Sequence, residues 1–244
     1  DFKNALNFEP ESSKAHTFIG NAYSELGDYK KAIEHHKIAL KIDHEYGDAH
    51  HNLAHVLLGK NDFCNGWHEY LYRDKKSIHP VSLKKISPAD QWEGKTTTDQ
   101  HLLIHGEQGL GDEVLFSNLL HVLKKNFYDI KVTVTCDKRL IPIYQRTHPD
   151  FDFIDRHRDS GGTNSSSQIH LGSLGLYLPI ENNDFYDLKH PNLIVDGSLS
   201  STIRNRINPQ YKKICGISWK SQKTSNNTSR HKSAYLADFL PILK

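Results

Sequence analysis

A self-similarity with a period of 34 residues runs through the first third of the chain, and it restricts the fold more than any other feature of the sequence. The turn Gly27-Asp28-Tyr29 returns one period later as Asn61-Asp62-Phe63. Small and apolar residues return at the same spacing: Ile19, Gly20 and Tyr23 are followed by Leu53, Ala54 and Leu57. Each repeat therefore predicts two antiparallel helices, in which small residues permit close approach and larger ones fill the groove between units.

A period of 34 residues is that of tetratricopeptide repeats (TPRs), which must stack because one helix pair cannot bury its own apolar face. We therefore predict TPRs over residues 1–74. Arg73 stands where the repeat usually has a small residue, and with Trp67 and Tyr70 it indicates a terminal unit that docks onto the following domain. The concave face has two interpretations: it only packs against that domain, or it holds a peptide or protein.

Histidines are concentrated in the repeats, and His51 and His55 stand one helical turn apart. Such a pair is a candidate metal site, but no cysteine or third ligand occurs at metal-site spacing. We interpret these histidines as exposed helix residues and expect no metal.

Composition argues against several classes of protein. The 31 basic residues nearly balance the 29 acidic ones, so we expect no nucleic-acid partner. No apolar run approaches the roughly 18 residues of a membrane span. The chain opens without a secretion signal and its three cysteines lie far apart, so we predict reduced thiols and a cytoplasmic location.

The second part of the chain changes its pattern. Pro80, Pro88 and Gly94 predict a linker over residues 75–100. Beyond it, strands are predicted at 101–105, 131–136 and 151–154, with helices at 113–125 and 138–147 between them. This alternation predicts a parallel sheet. The predicted fold class is therefore α + α/β, with TPR helices followed by a Rossmann-like lobe.

A glycine-rich loop, Gly106-Glu-Gln-Gly-Leu-Gly-Asp112, follows the first predicted strand. Open α/β sheets place their ligands at this end of the strands. The loop lacks the Lys-Ser/Thr of a phosphate-binding P-loop, and its glycines have the wrong order for a dinucleotide site, which disfavours an oxidoreductase. We expect Asp112 to cap the following helix, and two roles remain open for its carboxylate: catalysis or capping alone.

The stretch from Leu102 to Phe116, with Trp92-Glu-Gly94 before it, resembles proteins in which TPRs precede a domain similar to lipopolysaccharide heptosyltransferases. Further matches follow in the same order along the chain: Val132 to Pro142, Ile169 to Leu174, Ile214 to Trp219, Arg230 to Ser233 and Leu236 to Leu243.

The resemblance implies a two-lobed GT-B glycosyltransferase that uses a nucleotide sugar and needs no metal or cofactor. Residues 101–208 correspond to the acceptor lobe and residues 209–244 to the start of the donor lobe. Asp112 matches the proposed general base, which removes a proton from the attacking hydroxyl. Lys232 matches the lysine that binds the donor diphosphate, with Arg230 and Lys220 in the same basic loop.

Candidate acceptor-binding residues lie around the same loop: Glu107, Gln108, Gly109, Gly111 and Ser173. Glu107 and Gln108 have two open interpretations, binding acceptor hydroxyls or fixing the shape of the loop. The leading hypothesis is transfer of a sugar to a protein or glycan acceptor that the TPRs recruit. The alternative is a non-catalytic TPR scaffold with a degenerate lobe. Because the chain ends about one helix into the donor lobe, we expect no transfer by this part alone.

Overall fold

The computed structural model describes residues 9–77, 83–95, 100–107, 109–157, 165–180 and 193–207. The chain divides into two compact units, one ending at Val195 and one beginning at Asp196. Within the described residues, no helix combines the length and apolar character needed to cross a bilayer.

The described part of the first unit opens with four helices in two antiparallel pairs: α1 (Ser13–Glu25), α2 (Tyr29–Ile42), α3 (Gly47–Gly59) and α4 (Phe63–Tyr70). The two turns within the pairs are equivalent, since Gly27 and Asn61 have φ angles of 78° and 62°. The aspartate after each turn caps the next helix: Asp28 accepts from the backbone N–H of Lys31, and Asp62 from that of Asn65. Both turns thus confirm the predicted repeat.

Close helix packing explains the small residues of the repeat. Ala32 and Ala39 on α2 are fully buried. A Cβ atom on Gly20 would lie 2.7 Å from the imidazole of His36, so that position accepts little beyond glycine. His36 is itself fully buried where α1 and α2 meet, so the interpretation of the repeat histidines as exposed residues was wrong for this one.

After the helices, the described residues of the first unit form a four-stranded parallel sheet of order β3-β2-β1-β4. Its strands are β1 (His101–His105), β2 (Lys131–Cys136), β3 (Asp152–Asp155) and β4 (Ser167–His170). The helices that accompany it are α5 (Leu110–Phe116), α6 (Asn118–Asn126), α7 (Ile141–Thr147) and α8 (Leu174–Tyr177). TPR helices followed by this sheet confirm the predicted α + α/β fold class. The second unit contributes one described helix, α9 (Gly197–Ile207).

The helix predicted at 113–125 differs from the structure in two ways. It begins earlier, at Leu110, so its N-cap is Gly109 and Asp112 lies inside the first turn; the prediction that Asp112 is the cap was wrong. It is also interrupted at Ser117, which separates α5 from α6 and whose hydroxyl donates to the carbonyl of Val114 at 2.7 Å. A serine that bonds back to the preceding turn competes with the helical ladder.

The TPR helices and the sheet share one apolar core. Trp67 and Tyr70 of α4 belong to the same buried cluster as the strand residues. Trp67 packs directly on Gly175 of α8, where a Cβ atom would meet the indole ring at 2.1 Å. Within the predicted linker, Trp92 is buried and its backbone N–H donates to the carbonyl of Gln168 on β4 at 2.9 Å.

Burial lowers the pKa of His36 to about 4, with a smaller contribution in the same direction from the nearby His35. In the unfolded chain the His36 imidazole binds a proton near pH 6.5, whereas in the folded chain it stays neutral until the pH approaches 4. The free energy of unfolding therefore decreases as the pH falls from about 6.5 towards 4. We predict that His36→Phe reduces this loss by about 1–2 kcal/mol between pH 7.5 and pH 5, measured by urea unfolding.

The control is His68→Phe, since His68 is exposed and should leave the pH dependence unchanged. An identical loss of stability in wild type and His36→Phe would contradict the assignment.

Candidate functional site

Strands β2 and β3 lie on one side of β1, and β4 lies on the other. The order in which strands are added to the sheet therefore switches sides between β1 and β4. Ligands of open α/β sheets bind in the crevice at such a switch point, beyond the carboxyl ends of the strands. Here that crevice lies between the loop after β1 and the 3₁₀ turn Leu171–Ser173 after β4. In this protein, side chains of the last TPR unit fill it.

Arg73, in the 3₁₀ turn Leu71–Lys75 after α4, enters the crevice and is only 2% exposed. Its Nη2 donates to Glu107 Oε1 at 3.1 Å and to Ser173 Oγ at 3.0 Å. Its Nη1 donates to the Tyr70 carbonyl at 3.3 Å. Glu107, 3% exposed, also accepts from the Gly172 backbone N–H at 2.8 Å. One buried ion pair therefore joins the repeats, the glycine loop and the turn after β4.

An aromatic cluster surrounds this ion pair on the side of α5. The rings of Trp67, Tyr70 and Phe116 lie 5.4–5.7 Å apart between their centroids. The Arg73 guanidinium also stacks over the Tyr70 ring at 4.7 Å. The cluster excludes water from the guanidinium, which strengthens its interaction with Glu107.

A second buried carboxylate, Glu113, lies beneath the glycine loop. Its Oε2 accepts from Arg156 Nη2 at 2.7 Å and from the Asp137 backbone N–H at 2.9 Å. Arg156 also donates to the carbonyl of Glu107. Burial raises the pKa of Glu113 to about 7, although its two donors act in the opposite direction. A Cβ atom on Gly106 would lie 2.2 Å from Glu113 Oε1, so glycine is required for this packing.

The carboxylate of Asp112, in contrast, is exposed. It packs over Gly109, where a Cβ atom would meet Asp112 Oδ2 at 2.4 Å. Asp112 precedes Phe116 by four residues and therefore lies on the same face of α5. Since the ring centroids of Phe116 and Tyr70 are 5.4 Å apart, this face is directed towards the TPR helices.

The predicted site residues fall into three groups. Glu107 and Ser173 are buried and share Arg73 as a partner, whereas Gly109 and Asp112 contact each other and Gly111 faces open space. Gln108, Lys220, Arg230 and Lys232 lie outside the described residues. Acceptor binding by the first two groups stays a prediction.

Sequence reasoning overlooked Glu113 and Arg156. For Glu113 the sequence held a usable signal, because it precedes the apolar residues Phe116 and Leu120 by three and seven positions, which is helical spacing. In the structure all three residues are buried. No comparable signal exists for Arg156, which follows β3 and reaches the loop only through the tertiary fold. Among the described residues, no group of three or more His, Cys, Asp or Glu side chains is arranged to hold a metal ion.

Among the sequence predictions, comparison with known proteins supports the TPRs most directly. The TPR repeat model matches residues 20–61. Protein FlbA of Caulobacter vibrioides is 28% identical over 161 residues, which cover 64% of this chain and 27% of FlbA, so the match spans about a quarter of that relative. A mutant of the Thermobaculum terrenum O-GlcNAc transferase aligns over 63% of this chain and 36% of its own, with 13% identity and a TM-score of 0.27. At that TM-score the likeness supports no inference.

We predict that Arg73→Met lowers the free energy of unfolding by about 3–5 kcal/mol, because it leaves Glu107 buried without its cation. Adding Glu107→Gln to this variant should recover part of the loss, since the unpaired charge is then removed. Denaturant unfolding of both variants measures the effect.

The matched control is Lys75→Met, two residues away, because Lys75 pairs with Glu45 on the exposed surface. Its effect should be much smaller. A loss no greater in Arg73→Met than in Lys75→Met would contradict a structural role for the buried pair.

Proposed function

We propose that this chain is part of a glycosyltransferase that moves a sugar from a nucleotide donor to a protein or glycan acceptor. The single observation that carries the proposal is the exposed carboxylate of Asp112, held over Gly109 beyond the carboxyl end of β1 and directed towards the TPR helices. The resemblance of the loop to heptosyltransferase-like proteins supports it. The nucleotide-sugar donor suits a cytoplasmic enzyme.

In the proposed reaction, an acceptor hydroxyl attacks the anomeric carbon of the donor sugar. Asp112 removes the hydroxyl proton as the new carbon–oxygen bond forms. The bond from that carbon to the diphosphate breaks, and the nucleoside diphosphate leaves with the electron pair. Its developing charge requires cations, a role we assign to Lys232, Arg230 and Lys220.

The remaining residues of the site support the loop in this proposal. Glu107 and Ser173 fix its position through Arg73, and Glu113 fixes α5 through Arg156. This arrangement keeps the Asp112 backbone in one place while its side chain stays open to an acceptor. Gln108 and Gly111 are the loop positions we assign to contact with the acceptor itself.

A second candidate is a scaffold that binds partners without catalysis. The filled crevice between β1 and β4 favours it, because Arg73 occupies the place where such sheets usually hold a ligand. Titration of nucleoside diphosphates into the full-length, two-lobed protein discriminates the two. Saturable binding supports the transferase, and its absence supports the scaffold.

We predict that Asp112→Asn lowers kcat for transfer about 10²–10⁴-fold, because an amide cannot accept the proton. The assay incubates full-length protein with labelled nucleotide sugars and cell extract, and follows label in the acceptor.

Asp129→Asn is the matched control, since Asp129 is also an exposed aspartate but lies in the turn before β2. If Asp112→Asn transfers sugar as well as wild type does, Asp112 is not the base.

Gly109→Ala tests the position of the same carboxylate. The backbone of Gly109 is extended, with φ of −91°, so alanine is tolerated there, but its Cβ displaces Asp112 Oδ2. We predict normal thermal stability and a loss of kcat of about tenfold or more, because catalysis is sensitive to a displacement of about 1 Å.

Gly59→Ala provides the comparison, since nothing lies within 4 Å of the added carbon at that position. Equal kcat in Gly109→Ala and wild type would mean that the placement of Asp112 over Gly109 has no part in transfer.

A further inference from the structure

Three TPR-side residues form a group that the reaction above does not use: His51 and His55 on α3, and Lys76 just after the 3₁₀ turn. We call this group the imidazole patch. The Nε2 atoms of His51 and His55 are 3.3 Å apart, and Lys76 Nζ lies 3.5 Å from His51 Nε2. The two imidazole rings meet edge to face, with centroids 4.4 Å apart.

The imidazole patch lies on the side of α3 that approaches Asp112. The Tyr70 ring is 5.9 Å from the His51 ring and 6.2 Å from the His55 ring, and its other neighbour is Phe116 of α5. Asp112 stands one helical turn before Phe116 on the same face. The Asp112 carboxylate is also close enough to favour the charged forms of His55 and Lys76.

The charges within the patch are poorly balanced. Burial lowers the pKa of His51 to about 3, so this ring is neutral at pH 7. Burial likewise lowers the pKa of Lys76, whose attraction to Asp48 and Asp112 only partly opposes this effect. In the described part of the chain, no carboxylate forms an ion pair with Lys76. Its half-buried ammonium thus has no counter-charge in contact among the residues that the structure describes.

We propose that the imidazole patch binds an anionic group, a carboxylate or a phosphate, that the acceptor carries beside its reacting hydroxyl. The identity of that hydroxyl rests on the proposed function, whereas anion binding by the patch does not. An acceptor of this kind complements both charges: its anion pairs with Lys76, and its hydroxyl donates to Asp112.

Lys76 is the donor that such an anion needs. Because the two Nε2 atoms of the histidines are 3.3 Å apart, the Nε2–H of one ring is already engaged with the other ring. The side chain of His55 is exposed, so an arriving anion reaches the patch from solvent. Lys76 then exchanges its long contact with His51 for a charge-assisted bond to the anion, typically about 2.7–2.9 Å in length.

The test uses anions alone, with the full-length protein at pH 7.5 and constant ionic strength. Inorganic phosphate and acetate are titrated separately while the histidine Cε1–H signals are followed by NMR. The variants His51→Gln and His55→Gln assign the two signals. We expect saturable shifts of both signals with at least one anion, and a dissociation constant raised about tenfold or more by Lys76→Gln, the loss of one charge-assisted bond.

Lys37→Gln, an exposed lysine of α2, is the matched control and should bind as wild type does. Saturation by phosphate alone shows that the patch selects a phosphate group, and saturation by acetate shows that it accepts a carboxylate. No saturable shift with either anion, or equal binding in Lys76→Gln and wild type, overturns the proposal. If Lys76→Gln unfolds, His55→Gln replaces it, read through the His51 signal, because the exposed His55 side chain can be changed without disturbing the core.

These outcomes are independent of sugar transfer, because no donor is present in the titration. Anion binding together with unimpaired transfer by Asp112→Asn would keep the anion site and remove the base assignment. If transfer depends on Asp112 but neither anion binds, the base assignment stands and the anion site is rejected.

Discussion

The buried ion pair between Arg73 and Glu107 is the interaction on which the rest of the first unit depends. Removing two charges from water is expensive, and here the expense is offset by a dense set of bonds: Glu107 also receives the Gly172 N–H, and Arg73 also reaches Ser173 and the Tyr70 carbonyl. These partners come from the repeats, the loop after β1 and the turn after β4. The pair therefore fixes three segments that are remote in sequence into one arrangement.

Because a TPR side chain fills the switch-point crevice, a group that reacts with a substrate has to lie outside that crevice. Two carboxylates at the glycine loop, those of Glu107 and Glu113, are each paired with an arginine and buried. Asp112, the residue before Glu113 on α5, is exposed. The surface opposite Asp112 belongs to α3 of the repeats, so an acceptor that reached this carboxylate would contact both parts of the unit.

The sequence predicted local structure well where periodicity and turn chemistry are strong. Strands β1 and β2 have the predicted bounds, and the turns at Gly27 and Asn61 repeat as expected. It failed where the outcome depends on neighbours in space: the cap at Gly109 instead of Asp112, the break at Ser117 and the four-residue strand β4. Short elements carry few residues, so their pattern is weak until the adjoining strand supplies hydrogen bonds.

By itself the sequence determined the helical repeat, the alternation of strands and helices and the glycine-rich loop before α5, because each follows from residues close together along the chain. The tertiary structure alone decided the partners: Arg73 with Glu107, Arg156 with Glu113, and the patch of His51, His55 and Lys76 near Asp112. Periodicity specifies which face of an element is apolar, but not which polar groups meet when two elements dock. That choice depends on burial and charge pairing between distant residues, and both exist only in the folded chain.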